Sequence, residues 1–372
     1  MKYREKGKIP AKTSLLGFGC MRFPVTEDGK INRPETMKML DYAYEHGVNY
    51  IDTAYPYHNF ESEVVVGQWV ATKPRDSFYL VTKSPTWMCK DIADFDRILD
   101  EQLTKLQTSY VDFYLLHALS RERWEHIQEM NLIPHLKSVL ESGKVRRIGF
   151  SFHDDYEVFE EILNAYDWDF CQIQFNYMDT DIQAGLRGYE LAKSKNIPMT
   201  IMEPVKGGML ANVPEEIKAE FRRVHPDWSD ASWALRWVGD HDNVQTVLSG
   251  MSTLEQVIDN VKTFSEIEPL STEELNTIEQ ARQLFQARIQ VPCTGCRYCM
   301  PCPFGLDIPK NFRLLNTAHV YNVQAAQKAG YDAMEITEKA SHCQKCGACK
   351  AKCPQHIDIP NQMNKVVQEF EK

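Results

Sequence analysis

Two runs of cysteine near the C-terminus have the spacing of a metal–sulfur site. Cys293, Cys296, Cys299 and Cys302 fall at C-x2-C-x2-C-x2-C-P, and Cys343, Cys346, Cys349 and Cys353 at C-x2-C-x2-C-x3-C-P. Three thiolates at i, i+3 and i+6 can wrap three corners of an iron–sulfur cubane. Tetrahedral zinc takes four thiolates, usually as two separated C-x-x-C pairs, so the third step of each run is surplus to zinc. In two-cluster ferredoxins the cysteine before the proline crosses to the other cluster. The expectation is two [4Fe–4S] clusters: one on Cys293, Cys296, Cys299 and Cys353, the other on Cys343, Cys346, Cys349 and Cys302. The first run closes one residue shorter than the usual pattern. Cys20, Cys89 and Cys171, outside the runs, read as small buried apolar residues.

A second set of reactive types lies far upstream. Asp52 closes the stretch NYID, Lys83 closes YLVTK and His117 closes DFYLLH, with Tyr57 five residues beyond Asp52. Each preceding stretch is a β-rich run. Together with Leu15–Cys20, Arg147–Ser151, Phe170–Gln174, Pro198–Met202 and Val244–Leu248, the runs Val48–Asp52, Phe78–Thr82 and Val111–Leu116 make eight candidate strands. Helical patterns at Pro34–His46, Ile92–Gln107, Ile133–Glu141, Asp181–Lys195 and Leu254–Phe264 fall between them. Alternating strands and helices imply a parallel sheet, and eight units close a barrel. The fold class is therefore α/β, a (β/α)8 barrel. A doubly wound open sheet is the weaker alternative, because no G-x-G-x-x-G follows the first strand. In such a barrel, polar residues at the C-terminal strand ends are where catalysis sits.

From Ser271 the pattern changes. The stretch STEE opens a helix with capping chemistry running toward Ile289, and a helical-looking spacer, Lys310–Ala340, separates the cysteine runs. The segments CMPCPFGLDIP and CKAKCPQHIDIP form an internal repeat. This gives two domains, 1–270 for the barrel and 271–372 for a small, mainly helical ferredoxin-like module.

Composition narrows the setting. With 372 residues, 43% apolar, the chain can bury a substantial core, and its net charge of −10 argues against non-specific nucleic-acid binding. There is no apolar run long enough to span a membrane and no secretory h-region at the N-terminus, which predicts a cytoplasmic protein.

The barrel's motifs resemble the aldo-keto reductases over roughly residues 10–265: LLGFGCMRFP, D-T-A-x-x-Y followed by S-E, V-T-K, L-L-H, RRIGFSF, QIQFN and LSGMSTLEQVIDN. With the cysteine runs, the chain looks like the subgroup carrying a C-terminal ferredoxin-like extension. The resemblance implies a tetrad of Asp52, Tyr57, Lys83 and His117, a small carbonyl or alcohol substrate, and NAD(P)H bound without a Rossmann domain. It places Gly19, Met21, Ser151, Gln172, Met202, Gly207, Gln256 and Asn260 at the cofactor. Phe152 stands where an asparagine is usual and Met202 where an aromatic ring commonly stacks. Gly250, Met251 and Gln256 replace the basic and hydroxyl residues of a 2′-phosphate clamp, so the sequence does not select NADPH over NADH.

The tetrad's chemistry suits these types. A tyrosine with an ordinary pKa of about 10 is a poor acid at neutral pH, and an adjacent ammonium held by Asp52 is expected to lower that value. Tyr55 is the competing tyrosine. Trp87, Met88 and Cys89 read as either a substrate pocket or loop packing, and Arg121, Arg123 and Trp124 as a solvated face ahead of a contact for an anionic substrate. Nicotinamide releases an electron pair and a cubane passes single electrons, so exchange between them asks for a flavin in the barrel mouth or on a redox partner protein. Two alternatives stand beside this reading: structural clusters supplying folding energy, and a redox-sensing or docking protein without turnover.

Overall fold

A computed structural model describes residues 1–8 and 11–372. Its strands close into a barrel in the order Val244–Ser249, Leu16–Gly19, Tyr50–Asp52, Tyr79–Ser84, Phe113–Leu119, Ile148–Phe152, Phe170–Gln174, Met199–Met202, every neighbouring pair parallel. Closure rules out the open doubly wound sheet. A short antiparallel pair, Tyr3–Arg4 with Thr13–Ser14, precedes it.

The β pleat, which sends successive side chains to opposite faces, explains the barrel's two cores. Tyr50, Val81, Phe113, Leu115, Phe170 and Leu248 pack together inside it. The residues alternating with them, Ile51, Leu80, Tyr114 and Leu116, join the larger core beneath the surrounding helices. Gly149 lies beside Phe170 on this plan, where an added Cβ would come within 2.5 Å of the Phe170 carbonyl oxygen and no side chain fits. Two residues further along each strand, the inner face carries Asp52, Lys83, His117, Ser151 and Gln172 in place of apolar residues. The barrel thus ends in a polar layer at its C-terminal rim.

The flanking helices start where side chains satisfy free backbone N–H groups: Asn32 accepts from Glu35, Asp91 from Asp94, Ser120 from Arg123 and Thr253 from Gln256. Gly47 and Gly143, past the helices Arg33–Glu45 and Leu132–Glu141, adopt φ of 91° and 74°, the left-handed conformation that ends a helix. Helices at Ser62–Val70, Arg121–Glu129 and Tyr156–Ala165 were not legible as elements in the sequence.

The chain divides into two compact units. The barrel unit comprises Met1–Ala211 and Ser229–Ser271, and the second comprises Asn212–Trp228 with Thr272–Lys372. The helix Glu215–Val224 therefore groups with the second unit although its sequence lies inside the barrel's range. The long spacer is two helices, Ile308–Tyr321 and Gln324–Asp332, broken at Asn322 with φ 53°, followed by two short 3-10 turns.

The repeat in the second unit extends to its backbone. Gly295 and Lys345 have φ of 73° and 53°, Arg297 and Gly347 have 64° and 77°, and Gly305 and His356 have 84° and 53°. Each pair occupies the same place relative to its cysteines, so both loops take one left-handed shape. Glycine, which adopts it without strain, fills only one position of each pair. The D-I-P endings then open the helices Ile308–Tyr321 and Ile359–Phe370, whose apolar faces share one core through Phe312, Leu315, Met363 and Val366.

Candidate active site and cysteine cavities

A cavity of about 730 Å3 opens at the polar rim of the barrel. Asp52, Tyr57, Lys83 and His117 all line it, as do Gly19, Met21, Ser151, Gln172, Met202, Gly207, Gln256 and Asn260. Every barrel residue singled out for catalysis or cofactor binding thus converges on one space. Arg22, His58, His153, Glu203 and Asp259 also line it; Arg22 and Asp259 fall inside the stretches LLGFGCMRFP and LSGMSTLEQVIDN, and His58 and His153 directly follow Tyr57 and RRIGFSF, so each of these four had a sequence signal.

Lys83 is fully buried and donates to Asp52 Oδ1 at 2.5 Å and to the Thr53 carbonyl at 2.8 Å. Burial alone would lower its pKa, but Asp52 and Tyr57 outweigh that and hold the ammonium above its ordinary value. The Nζ lies 5.1 Å from the Tyr57 ring centroid. Burial raises the Tyr57 pKa, with Lys83 pulling the other way. The expected net lowering of Tyr57 is therefore corrected: desolvation of the phenolate outweighs the ammonium's attraction, and the hydroxyl keeps its proton at neutral pH.

Tyr55 faces elsewhere. Its hydroxyl donates to the Glu101 carboxylate at 3.0 Å, and Lys105 sits 4.0 Å over its ring. It does not line the cavity.

His117 owes its aim to a strand irregularity. The register between its strand and the next shifts after Leu116, Ala118 takes φ 54°, and the Ala118 N–H donates to Ser151 Oγ at 2.6 Å. Such a bulge redirects a side chain next to a site. Burial, with Lys83 adding repulsion, drives the His117 pKa well below its usual value, so the ring is neutral. Its Nδ1 is buried without a partner. The Trp87 ring stands 5.3 Å from His117, with Arg123 stacked on it at 4.0 Å. Neither Trp87, Met88 nor the buried Cys89 lines the large cavity, which corrects that expectation. Arg121 pairs with Glu161, while Trp124 is core and donates to Glu161 at 3.0 Å.

The cofactor side offers unmet hydrogen-bonding capacity. Gln172 is 2% exposed and, among the described residues, its Oε1 has no partner and its Nε2 faces only the Met202 thioether at 3.5 Å. A buried amide left this way is costly unless something else pairs with it, and a carboxamide does so with both a donor and an acceptor. Asn260 donates to Ser249 Oγ at 2.8 Å, and Gln256 accepts from the Ser252 N–H at 2.7 Å.

The second unit brings the cysteines into two small cavities. Cys293, Cys296, Cys299 and Cys353 line one, and Cys302, Cys343, Cys346 and Cys349 line the other. Each cavity thus takes three cysteines from one run and the pre-proline cysteine of the other. Burial, then neighbouring thiols, raises the pKa of Cys293 and Cys349; Cys353 acts on the former and Cys302 on the latter. Burial pushes the Cys299 thiol up to about 11. Among the described residues, no three His, Cys, Asp or Glu side chains converge to hold a single ion. The remaining cysteines, Cys20, Cys89 and Cys171, are buried.

Comparison with known proteins agrees with the barrel fold and with an iron–sulfur domain at the C-terminal end of the chain. The family model "Aldo/keto reductase family" matches residues 15–283, and "4Fe-4S dicluster domain" matches residues 292–358. The chain belongs to the aldo/keto reductase family and carries a C-terminal 4Fe-4S dicluster domain. It is 25% identical over 309 residues to the uncharacterized oxidoreductase YqkF of Bacillus subtilis, covering 75% of this chain and 96% of that protein. It is likewise 25% identical over 301 residues to L-galactose dehydrogenase of Arabidopsis thaliana, covering 73% and 90%. The holo structure of aldo-keto reductase AKR11C1 from Bacillus halodurans superposes with a TM-score of 0.64 at 26% identity, covering 75% of this chain and 96% of that one. Among the described residues, no helix is long and apolar enough to cross a membrane.

Proposed function

We propose that the barrel reduces a small carbonyl compound with NADH or NADPH, and that the C-terminal domain holds two [4Fe–4S] clusters on crossed sets of cysteines. The observation that carries the first part is the tetrad: a protonated tyrosine beside a buried, carboxylate-held lysine and a neutral histidine, all on one cavity. Ser151 and the unsatisfied Gln172 would hold the nicotinamide carboxamide, and Asn260 the adenine end. When bound, the nicotinamide supplies a hydride to the carbonyl carbon. Tyr57 gives its proton to the substrate oxygen, Lys83 stabilises the phenolate left behind, and Asp52 keeps Lys83 in place. His117, as a neutral ring, donates a hydrogen bond that orients the oxygen. Anaerobically purified protein assayed against a panel of aldehydes and ketones should oxidise NADH or NADPH; no turnover with any carbonyl would defeat this reading.

The pKa directions support a specific expectation for the pH profile. Reduction needs Tyr57 protonated, and its pKa lies above the ordinary value, so kcat/KM for reduction should hold a plateau across neutral pH. It should fall only as pH rises through the Tyr57 pKa. His117 titrates well below its usual value and should contribute no limb near pH 6–7. An acidic limb in that range that vanishes in His117→Gln would contradict the neutral histidine.

Exchange of electrons between the nicotinamide and the clusters would need a flavin as converter, bound or brought by a partner. Flavin-free protein mixed anaerobically with NADPH should keep its cluster absorbance and bleach once FMN or FAD is added. Rapid bleaching by nicotinamide alone would remove the flavin from the scheme.

A further inference from the structure

The cysteine-bearing segment differs in charge from the rest of the chain. Residues 293–356 carry eight Lys and Arg against four Asp and Glu, whereas the remaining residues carry 34 against 48. A net of +4 thus sits on a chain otherwise at −14. Three of the eight gather at an opening: a groove of about 380 Å3 lined by Arg297, Lys310 and Arg313 with a single carboxylate, Asp307, and with Thr294, Asn316 and Thr317 as polar neighbours. Cys293, Thr294, Arg297 and Pro309 line both this groove and the four-cysteine cavity of the first run. The groove therefore reaches a proposed cluster ligand directly.

These cations are not consumed inside the fold. Arg297 and Arg313 are exposed and, among the described residues, make no ion pair or side-chain hydrogen bond, whereas Lys310 lies 3.4 Å from Glu338. Two unpaired guanidiniums at one opening favour carboxylates, which they bind in a bidentate fork. Beside them Tyr298 is 67% exposed, an aromatic of the kind that anchors interfaces.

We propose that this groove and its rim dock an acidic electron-carrier protein, whose surface carboxylates engage Arg297 and Arg313 beside the first cluster. The proposal rests on the assignment of clusters made above. On docking, one electron passes from the reduced carrier to an oxidised cluster; the carrier is oxidised and the cluster reduced by one electron, and no bond is made or broken. Complementary charge steers such an encounter and makes it sensitive to salt.

The test uses the whole, anaerobically purified protein and an acidic [2Fe–2S] ferredoxin. Affinity is measured by titration calorimetry, and electron exchange by stopped-flow mixing with the reduced ferredoxin. Arg313→Glu, and separately Arg297→Ala, should weaken binding and slow exchange by roughly tenfold or more at low salt, with the difference shrinking at high salt. Lys137→Glu, on a barrel helix, should leave both unchanged. Iron and sulfide are assayed on every preparation, so loss of clusters, which would overturn the underlying assignment, is distinguished from loss of docking. With clusters intact, Arg313→Glu and Arg297→Ala both within twofold of the unaltered protein would overturn the proposal. So would ferredoxin failing to bind while free phosphate does, which would assign the groove to small anions.

Discussion

Replacing Tyr57 with phenylalanine should lower carbonyl reduction by a factor of about 100–10,000, the usual range for loss of a general acid, while nicotinamide affinity stays nearly intact. The substitution deletes one oxygen. It leaves Asp52 and Lys83 paired at 2.5 Å and leaves Ser151, Gln172 and Asn260 in place along the cavity. Among the described residues, the lost atom is the only tyrosine hydroxyl on that cavity: Tyr55 is bonded to Glu101 and lies outside its lining. Tyr55→Phe should therefore keep activity near that of the unaltered protein, at most weakening the contact between the helix Ile92–Lys105 and the loop. Steady-state kinetics of both variants, with nucleotide affinity from fluorescence quenching, decides the matter. Retained activity in Tyr57→Phe and its loss in Tyr55→Phe would reverse the assignment of the acid.

Removing one cysteine should destroy the cluster more distant in sequence and spare the nearer one. The unaltered protein should carry about eight iron and eight sulfide per chain, the content of two cubanes. Cys353 follows the second run but lines the cavity of Cys293, Cys296 and Cys299. Cys353→Ala should thus bring iron down to roughly four per chain, with the surviving signal belonging to the cluster on Cys343, Cys346, Cys349 and Cys302. Combining Cys353→Ala with Cys296→Ala should cost no further iron, whereas combining it with Cys346→Ala should remove most of the remainder. Iron and sulfide analysis with electron paramagnetic resonance of the reduced variants reads this directly. If Cys353→Ala and Cys346→Ala abolish the same signal, ligation follows the runs and does not cross.

The sequence by itself determined what is local or periodic. Alternation within each strand places Tyr50 and Asp52, or Val81 and Lys83, on one face of the pleat, so the inner positions of Asp52 and Lys83 were legible from the strands' own residues, whereas Tyr57 lies beyond its strand and a register shift aims His117. The spacing of the cysteines, the helix-opening D-I-P repeats and the glycines after helices are equally short-range. The helix Ser62–Val70 escaped because most of that segment is buried, leaving no polar face to mark its period. Tertiary structure decided whatever depends on groups distant in the chain. Only the packed fold sends Tyr55 to Glu101 and Tyr57 to Lys83, and only desolvation in the assembled cavity sets the sign of the Tyr57 shift. The grouping of Asn212–Trp228 with the C-terminal unit and the meeting of Arg297 with Arg313 on one groove arise the same way. The exchange of Cys302 and Cys353 between cavities was already expected from the pre-proline spacing; the fold supplies its physical means, two helices that open from equivalent repeats and share one core.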